Sequence, residues 1–333
     1  MILYLNEAGS VLRKTGGYYV VITADNKKRD IPAEKLEAVV VFSGANVTTP
    51  CLMSLLRQGV TVTFLSSKGG LFGRAESTAH FNIERHRSQF RAGENPGFCL
   101  ELARIFIKGK IHNELVVLRR YNRHMNLATV DDAVKRMRLC YTDLDKPKSL
   151  NELNGTEGYA SRLYFGALSH MVREEFRFKG RTRQPPKDPF NSLLSFGYTL
   201  LMYEIYAVLL GKGLHPYLGF LHRVRRGHPA LASDLMEEWR PILVDSLVLR
   251  LIQGRTLTLD DFELPDVEGG VYLRKDRARV FIEKFQERLN LEHRYLPTDA
   301  PLTFRQAIHY QVGALVKALE ESNPRAYQPI MLR

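Results

Sequence analysis

The chain has 333 residues, 44% of them hydrophobic and 25% charged, which is ordinary for a soluble globular protein and is enough for two domains. Its 48 lysines and arginines outnumber its 36 aspartates and glutamates, and the formal charge of +12 favours a polyanionic partner, nucleic acid first and an anionic membrane surface second. The wide spacing of Cys51, Cys99 and Cys140 excludes a disulfide framework or a zinc knuckle, as is typical of a protein in a reducing cytosol.

The amino-terminal stretch MILYLNEAGSVLRK contains Glu7 and lacks the apolar segment of a signal peptide. By inspection, no stretch approaches the roughly 18 apolar residues that a membrane-spanning helix needs. We therefore expect a cytoplasmic protein that makes no use of a membrane.

Residues 1–77 are predicted to form a small β domain. Short segments rich in Val, Ile and Tyr, such as ILYLN, GYYVVITA and KLEAVVVFSG, are separated by turn residues. One helix is predicted within TTPCLMSLLRQG, with Thr48 or Thr49 as its cap, Pro50 near its first turn and Gly59 at its end. The extended segments VTVTFLSS and LFGRAE follow, joined by the turn SKGG.

Residues 78–333 are predicted to form helices, because their apolar residues recur with a period near 3.6. Three long segments show this pattern: PGFCLELARIFIKGKIHNELVVLRRYNRH, EGYASRLYFGALSHMVREEF and NSLLSFGYTLLMYEIYAVLLGKG. The predicted fold class is α+β, a small amino-terminal β domain followed by a larger all-helical carboxy-terminal domain.

A basic segment, RFKGRTRQPPKDPFN, lies between two of the predicted helices. It contains five basic residues and three prolines and has almost no apolar periodicity, so it is predicted to be a loop. Two interpretations remain open, a solvated connection and a mobile basic flap that closes on phosphates.

The stretch HRVRRGHPALASDLMEEWRP combines imidazole and carboxylate groups. On a helix, Asp234 would share a face with Glu237 and with Glu238, and the loop before that helix would allow His222 to fold back beside them. Oxygen ligands with one imidazole suit Mg²⁺ or Mn²⁺. The alternative is an ordinary charged helix surface with a structural histidine.

Another carboxylate, Glu157, occurs in NGTEGYASRLYFGAL. Thr156 is predicted to cap this helix, which would place Glu157 in the first turn, where the helix dipole alone explains a carboxylate adequately. The spacing of the residues does not connect Glu157 with His222.

Four segments, taken in order, resemble a known protein family. LLRQGVTVTFLSSKGGLFGR resembles the end of that family's β domain, and NGTEGYASRLYF resembles its glutamate motif. DPFNSLLSFGYTLLMYEIYAVLLGKGLHPYLGFLH matches its Asn, Gly-Tyr and Gly-Leu-x-Pro…Gly-Phe-Leu-His pattern, and LASDLMEEWRP matches the acidic motif that follows. On these motifs, the chain resembles the CRISPR-associated adaptation integrases, the Cas-one family, over nearly its whole length.

The resemblance implies a site for Mg²⁺ or Mn²⁺ with Glu157, His222 and Glu237 as ligands. Asp234 matches an aspartate that assists the family's site, so these four are the predicted catalytic residues. Many relatives carry aspartate at the position of Glu237, and Glu238 is the fallback ligand if the alignment shifts by one residue.

The implied reaction is a phosphoryl transfer on double-stranded DNA. The 3′-hydroxyl of a short DNA fragment attacks a phosphodiester of the CRISPR array and inserts a spacer, whereas water as nucleophile would make the same site an endonuclease. Basic residues near the motifs are candidate phosphate contacts: Arg162, Arg177, Lys179, Arg181, Arg183, Arg223, Arg225 and Arg226. His215 and His228 lie outside the motif positions and are interpreted as structural or DNA-facing.

The resemblance also implies partners and a prokaryotic source. The family forms homodimers, which we expect the β domain to mediate, and two dimers flank a dimer of a small companion adaptation protein in a heterohexameric complex.

Two other functions remain open, a non-catalytic DNA-binding scaffold and a metal-dependent nuclease for branched DNA that does not integrate. A serine or cysteine hydrolase is disfavoured, because the sequence has no G-x-S-x-G motif and its cysteines lie in apolar runs.

Overall fold

The structure, a computed structural model, describes residues 1–66, 70–78, 82–263 and 265–333. Within it the chain forms two compact units, Met1–Asn82 and Ile83–Arg333. The predicted turn SKGG falls mostly on residues 67–69, and the predicted change to helix at residue 78 adjoins residues 79–81, so both lie largely outside the described residues.

The described part of the first unit consists of strands, one α-helix and a short 3-10 helix at Ala33–Lys35. The strands are β1 (Ile2–Leu5), β2 (Val11–Thr15), β3 (Tyr18–Ile22), β4 (Lys28–Pro32), β5 (Ala38–Phe42), β6 (Asn46–Val47), β7 (Thr61–Leu65) and β8 (Leu71–Ala75). They form two four-stranded sheets, ordered β1-β5-β7-β8 and β4-β3-β2-β6. Every residue of β5 is buried, as expected of a central strand in a parallel arrangement with β1 and β7.

The helix of the first unit confirms the sequence prediction. It is α1 (Thr49–Arg57), with Thr48 at the N-cap position, where its side chain makes no capping hydrogen bond, and with Pro50 in its first turn. Strand β4 was missed, because its segment KRDIP is exposed and charged along most of its length and lacks an apolar face. It pairs with β3 at the edge of its sheet.

The second unit is helical, which confirms the predicted fold class. Its helices are α2 (Ile83–Gly93), α3 (Pro96–Met125), α4 (Ala128–Thr142), α5 (Leu150–Met171), α6 (Pro189–Gly211), α7 (Ala230–Met236), α8 (Ser246–Gln253), α9 (Lys275–Leu289) and α10 (Phe304–Glu320). Two short strands, β9 (Glu292–His293) and β10 (Leu302–Thr303), pair in antiparallel fashion. Residues 177–188 precede α6 without regular structure, as predicted for the basic segment.

Helix α5 begins earlier than predicted. Ser149 accepts a hydrogen bond from the backbone N–H of Glu152 at 3.3 Å and caps the helix, whereas the hydroxyl of Thr156 bonds back to the Glu152 carbonyl at 3.3 Å. Glu157 therefore lies in the interior of the helix, and the helix-dipole explanation for this carboxylate is wrong.

Helix α6 corrects the expectation that no segment is apolar enough to span a membrane. By length and composition alone it is apolar enough to cross a membrane, since its most apolar window has a mean hydropathy of 1.6. Gly, Ser and Thr interrupt its apolar residues, so this helix contains no uninterrupted apolar run of about 18 residues and was not expected to be long and apolar enough to span a membrane. Two thirds of that window, 67%, is buried within the protein, as in the core helix of a soluble domain.

A wide helical turn, residues 240–245, joins the α7 region to α8 and packs against α3 and α6. Gly197 allows the contact with α6, because a Cβ atom there would lie 2.5 Å from Cγ1 of Val244 and 3.1 Å from the ring of Phe281. Leu231, Leu235 and Trp239, which precede this turn in the sequence, are fully buried.

Candidate functional site

A cleft of about 750 Å³ in the helical unit collects the predicted site residues. Glu157 from α5, His222 from the loop before α7 and Glu237 from the residue after α7 all line it. The structure thus brings Glu157 together with His222 and Glu237, which lie in a single stretch much further along the sequence.

Asp234 organises the loop that carries His222. The backbone N–H groups of Phe220, Leu221 and His222 donate to its carboxylate at 2.6, 3.0 and 2.8 Å. Its Oδ1 atom also lies 2.7 Å from Nδ1 of His222. The side chain of Asp234 is fully buried, so it acts behind the site and does not face the cleft.

The bond to Asp234 also fixes which histidine nitrogen faces the site. When Nδ1 of His222 donates to Asp234, the lone pair of the neutral ring is on Nε2. This Nε2 atom lies 3.8 Å from Oε1 of Glu237. A histidine whose second nitrogen is held by a carboxylate is the usual arrangement for a metal ligand.

Gly219 permits the close wrap of this loop. A Cβ atom there would lie 2.7 Å from Oδ2 of Asp234 and 2.9 Å from Ala230. A larger residue would push the loop away from Asp234.

A lysine lies between the two glutamates. The ammonium of Lys110, on α3, contacts Oε1 of Glu157 and lies 2.7 Å from Oε2 of Glu237. Ser161 donates to Oε1 of Glu157 at 2.8 Å, and Arg240 lies 3.3 Å from Oε1 of Glu237.

These positive charges determine the electrostatics of the site. Burial would raise the pKa of Glu237, but Arg240 and Lys110 outweigh burial and lower that pKa to about 2. Burial would also raise the pKa of Glu157, but the charge of Lys110 outweighs burial, and the pKa is lowered. Burial would lower the pKa of His222, but the hydrogen bond to Asp234 and its charge raise it.

The donor set fits a divalent ion chemically. Two ionised carboxylates and an imidazole with a fixed tautomer match the preferences of Mg²⁺ and Mn²⁺. Among the described residues, no three His, Cys, Asp or Glu side chains stand together ready to hold an ion. The ammonium of Lys110 instead contacts Glu157 and Glu237 and lies between their carboxylates.

Glu238, the fallback ligand, does not line the cleft. Its carboxylate is buried and accepts hydrogen bonds from Tyr327 at 2.7 Å, from the Ile330 backbone at 2.7 Å and from Gln311 at 3.0 Å. Glu237, just after α7, keeps helical dihedral angles, and successive residues in that conformation are turned by about 100°, so Glu238 faces the carboxy-terminal segment while Glu237 faces the cleft.

Six of the eight predicted basic residues line the cleft: Arg162, Lys179, Arg181, Arg183, Arg223 and Arg225. Arg177 and Arg226 do not line it and are exposed. Arg181 is held in place by bonds to Asn191 at 2.8 Å and Ser195 at 3.1 Å, so this part of the basic segment is anchored to α6.

His215 and His228, the two histidines interpreted as structural or DNA-facing, are not among the residues that line the cleft. His228 faces the hydroxyl of Ser233 at 3.2 Å. His215 packs its ring against His86, Phe90 and Tyr217.

Sequence reasoning missed Asp245, another buried carboxylate in the cleft. Asp245 accepts hydrogen bonds from Tyr198 at 2.6 Å and from Tyr164 at 2.9 Å. Burial raises the pKa of Asp245 to about 6, although these hydroxyls oppose the shift. The guanidinium groups of Arg181 and Arg240 lie over the ring of Tyr198, 5.3 and 5.0 Å from its centroid.

Lys110 and Glu114 were also missed, although the sequence carries a signal for them. They lie four residues apart on the face of α3 that includes Phe106, Ile107 and Ile111, all fully buried. Charged residues at buried positions of an apolar stripe point to a functional or paired role.

Comparison with known proteins adds a family relationship. A family model described as "CRISPR associated protein Cas1" matches residues 3–287. A curated relative from Thermus thermophilus, named "CRISPR-associated endonuclease Cas1 3", is 37% identical over 336 residues, covering 100% of this chain and 97% of the relative.

Two solved structures share the fold. One, titled "Cas6-RT-Cas1--Cas2 complex", has a TM-score of 0.84 and 26% identity over 98% of this chain, which spans 36% of that longer chain. Another, titled "Casposase bound to integration product", has a TM-score of 0.84 and 23% identity, covering 97% of this chain and 91% of that one.

Proposed function

Since this chain belongs to the Cas1 family of CRISPR-associated proteins, we propose that it is a divalent-metal-dependent integrase and endonuclease of CRISPR adaptation. It inserts short DNA fragments as spacers into the CRISPR array. The observation that carries this proposal is the convergence of Glu157, His222 and Glu237 in one cleft bordered by basic side chains.

The chemistry is a transesterification. The 3′-hydroxyl oxygen of the fragment forms a bond to phosphorus as the bond to the array's own 3′-oxygen breaks. The attacking hydroxyl loses a proton and the departing oxygen gains one, so phosphodiester bonds are exchanged without an external energy source. With water in place of the fragment, the same steps cleave the strand.

Glu157, His222 and Glu237 would hold one Mg²⁺ or Mn²⁺ ion. A bound ion offsets the negative charge that develops on the phosphate and on the leaving oxygen. Asp234 holds His222 in the tautomer that presents Nε2, and Arg240 keeps Glu237 ionised by lowering its pKa.

Double-stranded DNA is the proposed partner of the basic cleft. Its lining includes Arg162 from α5, Lys179 and Arg183 from the segment before α6, and Arg223 and Arg225 from the loop after His222. Contacts to phosphates position a duplex without reading its sequence, so this set supplies affinity while the site supplies chemistry.

A protein complex is proposed in addition. The structure at 26% identity is titled as a complex of Cas1 with Cas2, which supports a small companion adaptation protein for this chain. We propose a heterohexamer in which two homodimers of this chain flank a dimer of that companion, in the prokaryotic cytoplasm.

The test is a DNA-joining assay. Labelled duplex with free 3′-hydroxyls is incubated with a supercoiled array plasmid, the companion protein and Mn²⁺. Wild type is run beside Glu157→Gln and His222→Ala, with Glu152→Gln on the exposed start of α5 as the matched control. We expect joining by wild type and by the control variant, and none by the two site variants.

Each other outcome assigns the protein to a different function. Cleavage without joining would favour a nuclease, which the name of the curated relative also supports. DNA binding with no reaction, unchanged by Glu157→Gln and lost in salt, would favour a scaffold.

A further inference from the structure

Lys110 is a charged side chain in an interior position. Its side chain is 8% exposed, and its ammonium contacts carboxylate oxygens of both Glu157 and Glu237. Burying an ammonium is costly unless it is paired, and two neighbouring carboxylates repel one another unless a cation lies between them. The three groups therefore depend on each other.

A divalent ion held by both Glu157 and Glu237 would lie close to the Lys110 ammonium, which contacts Oε1 of Glu157 and Oε2 of Glu237. Two cations cannot share these oxygens closely, because their mutual repulsion in a buried site is large. Occupation by the lysine and occupation by the ion are alternatives.

We propose that Lys110 is a resident cation of the site, which holds Glu157 and Glu237 together before the ion binds and is displaced when the ion arrives. This inference rests on the proposed metal-dependent function and specifies how the protein regulates access to that metal. Lys110 is in this sense a positioning residue that sets the affinity for the ion.

Glu114 offers a position for the displaced ammonium. It lies four residues further along α3, one helical turn away, and also lines the cleft. Its carboxyl is buried, and its Oε2 atom has no hydrogen-bond partner among the described residues. Burial raises the pKa of Glu114 to about 8, and Lys110 opposes that shift, so an approaching ammonium would favour the ionised form.

The main experiment measures Mn²⁺ binding by isothermal titration calorimetry on the full-length protein without DNA. Lys110→Met removes the charge and keeps much of the side-chain volume. We expect Mn²⁺ to bind this variant about tenfold more tightly than wild type, or more, since the competing cation is gone. Lys108→Met is the matched control, because Lys108 is exposed on the same helix, and it should bind as wild type does.

A thermal measurement separates competition from a purely structural role. Lys110→Met should melt at a lower temperature than wild type without metal, because Glu157 and Glu237 then repel one another. Saturating Mn²⁺ should raise its melting temperature by more than it raises that of wild type. Lys110→Arg keeps the charge and should show no tightening.

The inference is overturned if Lys110→Met binds Mn²⁺ with wild-type affinity or more weakly, while the metal-dependent function stands. If neither wild type nor Lys110→Met binds Mn²⁺, the metal-dependent function fails together with the inference. Binding by the variant alone would support the inference, since the lysine then blocks the site in wild type.

A measurement on the unaltered protein covers the case in which Lys110→Met does not fold. Lysines labelled with ¹³C at Cε are followed by NMR during a Mg²⁺ titration, and the Lys110 signal is assigned from its absence in Lys110→Arg. We expect this signal to shift while that of Lys108 stays in place. A stationary Lys110 signal at saturating Mg²⁺ would overturn the inference.

Discussion

At the scale of single residues, Asp234 determines the position and the tautomer of the His222 ring. It accepts three backbone N–H groups and contacts Nδ1 of the ring, so loop position and ring tautomer depend on one carboxylate. Carboxylates that hold a metal-binding histidine typically change metal affinity by about 10- to 100-fold when they are replaced.

The pH dependence of metal binding follows from this pair. Asp234 raises the pKa of His222 above its ordinary value of 6.5, and a protonated ring cannot bind an ion. Mn²⁺ affinity should therefore fall as the pH decreases, with the fall centred above pH 6.5. Asp234→Asn should weaken binding at high pH and move the fall to lower pH.

Calorimetric titrations with Mn²⁺ between about pH 8 and 5.5 check this expectation. Asp260→Asn, an exposed aspartate in the same unit, is the matched control. A flat affinity across this range in wild type would contradict a ligand role for His222.

The residues of the site differed in how far sequence could predict them. Asp234, Glu237 and His222 lie within one short stretch, so helical spacing and one loop sufficed to associate them. Glu157 joins them only through the packing of α5, and the sequence linked it by family resemblance alone. Lys110 and Arg240 were not anticipated, because their role depends on which carboxylates tertiary contacts place beside them.

At the scale of elements, the packing of α6 on the wide turn positions Asp245 and Arg240. Gly197 is the contact point, and a Cβ atom there would lie 2.5 Å from Val244. Gly197→Ala should lower the free energy of unfolding by about 1–3 kcal/mol, because the turn has to shift. Gly313→Ala on α10 is the control, since a Cβ there meets no atom within 4 Å, and it should leave stability unchanged or raise it.

Denaturant unfolding of the two variants measures this difference. Equal stability of Gly197→Ala and wild type would show that the turn adjusts without cost.

The carboxy-terminal segment is attached through Glu238. Burial raises the pKa of this carboxyl to about 8 from an ordinary value of 4.5, although Tyr327, Ile330 and Gln311 oppose the shift. The folded protein therefore holds a proton that the unfolded chain releases. Its stabilising contribution is complete below pH 4.5 and is lost as the pH rises through about 8.

Glu238→Gln tests this sign, because glutamine is neutral at every pH. Relative to wild type, the variant should gain thermal stability as the pH rises from about 6 to 9. Melting curves across this range provide the measurement, and a constant difference between the two proteins would contradict a raised pKa.

Sequence patterns predicted the presence of helices and strands better than the residues at which they begin and end. The long apolar helices α3, α5 and α6 were located by periodicity, since their buried faces repeat over several turns. The start of α5 was misplaced because both Ser149 and Thr156 are capable caps, and only the folded chain shows which one is used. Strand β4 has no apolar alternation to detect.

At the scale of the whole molecule, the effect of the formal charge of +12 on DNA binding depends on where the basic side chains lie. Arg223 and Arg225 line the cleft, whereas Arg177 and Arg226 do not. The double variant Arg223→Gln/Arg225→Gln should reduce the slope of log affinity for duplex DNA against log salt by about 2, since each phosphate contact contributes about 0.9.

Fluorescence anisotropy over a salt series measures that slope. The double variant Arg177→Gln/Arg226→Gln carries the same change in charge and should keep the wild-type slope. Equal slopes for the two double variants would mean that the cleft is not the DNA-binding surface.

Glu157, His222 and Glu237 are proposed to bind one divalent ion in this cleft. Anomalous diffraction from crystals grown with Mn²⁺ tests it most directly, because the Mn²⁺ signal identifies the ion by position. We predict one peak roughly 2 Å from a carboxylate oxygen of each glutamate and from Nε2 of His222, with the Lys110 ammonium moved away. If saturating Mn²⁺ gave no peak at these three side chains and Lys110 still lay between the glutamates, a metal site at these residues would be contradicted.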